Sequence, residues 1–88
     1  MSFNKTSPAP SLSFLIKPEW RDVKCSEKHW LTIGIIEDNI ISTKPTGTVD
    51  LASLQNSTNF IDKLVQDMVP AEKNYIQIED YTGLQGVS

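Results

Sequence analysis

The 88-residue chain carries eight Lys and Arg against eleven Asp and Glu, a net charge of −3, with 39% hydrophobic and 22% charged residues. These proportions suit one small globular domain, and a pI near 4.9 without any basic cluster argues against nucleic-acid or membrane-surface binding. Cys25 is the only cysteine, so no intrachain disulfide can form, and a lone thiol fits a reducing compartment.

Residues 1–10 (MSFNKTSPAP) are rich in Ser, Pro, Asn and Thr and read as a flexible leader. They lack the apolar segment of a signal peptide, so a cytoplasmic location is expected. No apolar stretch approaches the ~20 residues needed to span a bilayer. Leu12 to Ile16 reads as a short strand or the start of a short helix, ended by Pro18. From Glu19 to Lys28 only Trp20, Val23 and Cys25 are apolar, which predicts an irregular segment anchored by Trp20.

Trp30 to Ile36 (WLTIGII) has the β-branched and aromatic content of a strand. Glu37-Asp38-Asn39 supplies turn chemistry, and Ile40 to Lys44 returns as the second strand of a hairpin. Pro45 is expected to limit that strand, having no backbone donor, and Gly47 to permit a bend or bulge. Asp50 is a plausible helix N-cap. Leu51 to Val69 then places Leu51, Leu54, Ile61, Leu64, Val65 and Met68 on one face, with Phe60 at its edge. Asn56 to Asn59 is weak in helix propensity, so irregularity is expected near the helix start. Pro70 stops the helix, and Tyr75 to Glu79 forms a third strand.

A hairpin, a crossover helix and a third strand define an α/β fold with the helix against one face of a mixed sheet. After the third strand, Gly83 and Gly86 break the chain, and Ser88 is an N-cap residue with no helix behind it. The expectation is that the C-terminal part of the fold is missing, residues 11–88 forming a partial domain. Dimerisation or partner contact would compensate for the lost core.

No catalytic constellation converges, so a non-enzyme without cofactor is expected. His29, the only histidine, is expected at a strand edge or in solvent. Cys25 and His29 are four apart, but two ligands fall short of a structural zinc site, and no metal is expected. Glu79 and Asp80 point to opposite faces of a strand, which leaves Asp80 to brace the following loop. Trp20 and Trp30 are candidate ligand or interface anchors, with core packing favoured for Trp30. Asp62, Lys63, Gln66 and Asp67 give the helix a mixed-charge, solvated face.

Thr46-Gly47-Thr48-Val49-Asp50, the helix, the strand YIQIED (75–80) and the loop GLQGVS (83–88) together resemble the STAS domain. That family includes anti-sigma factor antagonists and cytoplasmic domains of sulfate transporters. The wording IEDYTGLQGVS resembles STAS-like modules at the N-termini of bacterial sensor proteins, ahead of PAS, histidine-kinase or diguanylate-cyclase domains. The resemblance implies a non-enzymatic signalling module that docks a protein partner or a downstream domain. By analogy, Asp80 would hold the loop while Thr82, Leu84, Gln85 and Ser88 form the contact surface. The same analogy places Ser88 at the phosphorylation acceptor position of the antagonists, although Val87 stands where they carry Asp. Small-molecule sensing in a cleft near Trp20 and Trp30 is a further alternative.

Overall fold

The computed structural model describes residues 13–87. The leader and Ser88 lie outside the described residues. The long hairpin expected at the centre is present, as β3 (His29–Ile36) and β4 (Ile40–Val49) pair antiparallel over their lengths. Glu37 turns the chain between them at φ 60°, and its carboxylate and backbone N–H both engage Ser13. That contact seats β1 (Phe14–Leu15) against the end of β3. β2 (Val23–Ser26) pairs with the other end of β3.

The segment predicted as irregular is thus more ordered than its polarity suggests. A 3₁₀ turn at Pro18–Trp20 precedes β2, and Trp20 is buried in the core. Polar residues in β2 face solvent at a sheet edge, while Cys25 points inward, so the segment needs only one buried side chain in four.

β4 leads into α1 (Leu51–Met68), which crosses over to β5 (Ile76–Glu79) and then β6 (Leu84–Val87). Both pair parallel to β4, β5 along its first half and β6 along its second. Among the described residues, the six strands therefore form one mixed sheet of four columns, with one α-helix.

Pro45 does not end β4, because its missing donor falls where no donor is needed. The Thr43 carbonyl accepts from Asp80 N–H, and Gly47 N–H donates to the Gly83 carbonyl, so odd-numbered residues of β4 address the β5–β6 side. Pro45 shares that orientation and sits opposite the gap between β5 and β6, where the neighbouring chain detours. Gly47 lies at the register shift, where β6 carries the extra residue Gln85, and its φ of 86° would press an added Cβ into the Lys28 carbonyl oxygen.

The helix begins at Asp50 with a capping box: Asp50 Oδ1 accepts from Ser53 N–H at 2.8 Å, and Ser53 Oγ accepts from Asp50 N–H at 3.0 Å. It is continuous through Asn56–Asn59, against the expected irregularity. Here tertiary contacts outweigh propensity. Asn56 Nδ2 donates to the Cys25 carbonyl at 2.9 Å, and Ser53 and Ser57 are buried against the sheet. From the expected stripe, Ile61, Leu64, Val65 and Met68, with Phe60 at the edge, pack on the core as expected, and the departure is confined to Leu51 and Leu54. Leu64 is the buried centre, whereas Leu51 is 71% exposed and Leu54 is half-exposed. The core joins Leu64 to Trp20, Cys25, Leu31, Ile33, Ile35 and Ile41.

Candidate functional site

The position of α1 creates the site. Asn56 ties the helix to β2, and the small Ser53 and Ser57 bring it close to the sheet. The helix therefore contacts β2, β3 and β4 and leaves the β5–β6 side of the same face uncovered. An open groove of about 480 Å³ lies between them. Its floor is His29, Leu31, Thr43, Pro45 and Val49, and the helix wall presents Leu54, Ser57 and Ile61. The opposite wall comes from Gln77 and Glu79 of β5, Tyr81, and Leu84 and Val87 of β6.

His29 is the unexpected member. It is 1% exposed rather than solvent-facing, because β3 directs it inward with Leu31, Ile33 and Ile35. Neither ring nitrogen has a hydrogen-bond partner among the described residues. Burial pushes the imidazole below its usual pKa, with Asp50 acting weakly in the opposite sense. Asp50 is itself held low, first by the Ser53 backbone N–H. Its carboxylate is engaged in the helix cap. Asp50 was legible as a cap because it is a preferred N-cap residue directly before the helix, but no local pattern marks the buried histidine.

Two buried hydroxyls share the groove with His29. Thr43 Oγ1 donates to the Ile78 carbonyl at 3.4 Å, and Ser57 Oγ donates to the Leu54 carbonyl at 2.9 Å. Their lone pairs remain as acceptors. At the rim, Tyr81 Oη donates to Glu79 Oε1 at 2.5 Å, a bond that raises the phenol pKa. No lysine or arginine lines the groove among the described residues.

The Asp80 turn joins β5 to β6 midway along the wall. Asp80 Oδ1 accepts from Thr82 N–H at 3.0 Å and Thr82 Oγ1 at 2.6 Å. These bonds lower the carboxyl pKa, the side-chain bond contributing most. Gly83 then passes against β4, where an added Cβ would lie 2.7 Å from Thr46 Cγ2. The residues assigned to one contact surface divide across the sheet. Leu84 faces the groove, while Gln85 lies on the opposite face beside Trp30 and Thr46. Thr82 is exposed at the turn, and Ser88 falls outside the described residues.

The two tryptophans do not share a cleft. Trp20 joins the helix-side core with Lys17 Nζ 5.3 Å from its ring centre, whereas Trp30 is half-buried on the other sheet face. Core packing thus falls to Trp20 and not to Trp30, since alternation along β3 turns Trp30 away from Leu31 and the helix. Cys25 and His29 lie on successive strands rather than one helix. The Cys25 thiol is buried and its pKa raised by burial. Among the described residues there is no cluster of three or more metal-ligating side chains, and no helix is long and apolar enough to cross a membrane. Compared with protein-family models, curated proteins and solved structures, the chain matches none.

Proposed function

We propose that this chain is a non-enzymatic regulatory module of STAS-like type that acts by protein–protein docking, as the N-terminal input domain of a bacterial sensor protein. Its output partner would be a histidine-kinase, PAS or diguanylate-cyclase domain. The order of hairpin, capped crossover helix, parallel strand and glycine-bounded loop supports the STAS-like reading. One observation carries the docking reading: among the described residues β5 and β6 pair only with β4, leaving the outer edge of both strands open. An open edge is a template for partner binding, and native proteins ordinarily blunt it. Asp80 and Thr82 hold the turn between the two strands, so the exposed Thr82 and Gln85 are presented at fixed positions.

A photo-crosslinking residue at position 85, in the protein made from its own gene in its host, should give one dominant covalent product. The same residue at position 62, on the solvated helix face, should give none. Thr82→Lys combined with Gln85→Lys should reduce that product about tenfold, the effect of losing ~1.4 kcal/mol of binding, with the circular dichroism unchanged. Equal labelling at both positions, or none at 85, would overturn the docking assignment.

A further inference from the structure

A buried imidazole with both nitrogens unpaired is costly, because each polar group has given up its water without gaining a partner. Most buried polar atoms in native proteins have partners, so an orphan at the floor of an open groove marks a place where a partner arrives. His29 meets that description. Its neutral ring offers one N–H donor and one acceptor nitrogen. Thr43 and Ser57, also buried, have committed their hydroxyl hydrogens to backbone carbonyls and face the groove with acceptor oxygens. A group that both donates and accepts, with donation in greater demand, would complement this set.

Charge narrows the choice. Glu79 lines the groove, Asp50 acts on His29 through space, and among the described residues no cationic side chain lines the cavity. A carboxylate or phosphate would meet like charge without compensation. Apart from Thr58, Gln77 and Tyr81, the remaining lining is apolar, from Leu31, Pro45 and Val49 beneath to Leu54, Ile61 and Leu84 at the sides. The groove falls within the size range of small-molecule sites, ~300–1,000 Å³.

We propose that this groove binds a small, uncharged, hydroxylated apolar molecule, an aryl or alicyclic alcohol, with its hydroxyl on His29 and its hydrocarbon against Pro45, Leu54 and Leu84. The site is separate from the outer strand edge and stands whether or not that edge docks a partner. It gives the module an input as well as an output surface, because the strands that wall the groove also form the open edge.

The uniqueness of His29 makes the test direct, since the full chain has a single imidazole to observe. Phenol and cyclohexanol should shift the His29 ring signals in a heteronuclear NMR titration, and at least one should saturate. Toluene, which lacks the hydroxyl, should bind about tenfold more weakly, the loss expected for one hydrogen bond. Benzoate should leave the signals unmoved. Leu54→Trp, which fills the groove from a half-exposed helix position, should abolish the alcohol shifts with unchanged circular dichroism. Unmoved signals with both alcohols, or equal binding of toluene or benzoate, would overturn the proposal. So would saturable alcohol binding that survives Leu54→Trp, because the alcohol would then sit elsewhere. The crosslinking at position 85 reads a different surface, so either result can fail without the other.

Discussion

His29 concentrates the tension in this chain at the scale of one residue. Its folded pKa lies below the ordinary value of 6.5 because burial disfavours the imidazolium. Protonation therefore favours the unfolded chain. The sign follows: the His29 contribution is intact above about pH 6.5 and is lost as pH falls towards the depressed folded value. Urea unfolding should show a lower midpoint at pH 5 than at pH 7.5. In His29→Leu that difference should shrink, and the midpoint at pH 7.5 should be no lower than in the parent, since an orphaned polar ring is replaced by an apolar side chain. Asp50 and Asp80 titrate in another window. Their folded pKa values are lowered, so their contribution is present above the carboxylate range and disappears only in stronger acid. An unchanged pH 5 to 7.5 difference in His29→Leu would show that the imidazole is not the acid-sensitive group.

Among the elements, β4 shows how one strand can carry two apparent breakers. Pro45 is tolerated because its missing N–H faces the interruption between β5 and β6. Gly47 is required for a different reason: its positive φ and the nearby Lys28 carbonyl leave no room for a side chain. Gly47→Ala should destabilise the fold by more than ~2 kcal/mol, read as a lowered urea midpoint, because left-handed strain and a backbone clash act together. A loss below ~0.5 kcal/mol would mean that the bulge relaxes without cost. The helix makes the complementary point. Its cap was legible because Asp50 is a preferred N-cap residue directly before the apolar-periodic run, and Ser53 completes the capping box in the fold. Its packed stripe was legible from Phe60 to Met68 but not in the first turns, where Ser53 and Ser57 are buried by closeness to the sheet and Leu51 and Leu54 are left exposed.

For the molecule as a whole, among the described residues, one helix covers part of one sheet face and none of the other. On the uncovered face Phe14, Ile36, Ile40 and Ile76 lie in register across all four columns, with Ile78 beside them. Phe14 and Ile76 are 59% and 62% exposed. Such a contiguous apolar row promotes association. Ile76→Lys with Ile78→Lys should lower concentration-dependent light scattering while changing the unfolding midpoint little, because both side chains are already more than half exposed. Unchanged scattering would remove this face as the source of self-association.

The sequence alone determined the features that depend on neighbours along the chain: the hairpin around Glu37–Asn39, the Asp50 cap, the amphipathic helix stopped before Pro70 and the turn braced by Asp80. Tertiary structure decided where the helix lies across the sheet, and that placement set the rest. By leaning towards β2 it joined Leu64 to the core that holds Trp20, and left a groove beside β5 and β6 with the unpaired His29 on its floor. The reason is physical. Turns and caps are short-range hydrogen-bond arrangements written in a few adjacent residues, whereas the burial of His29 depends on a sheet and a helix meeting at one lateral position.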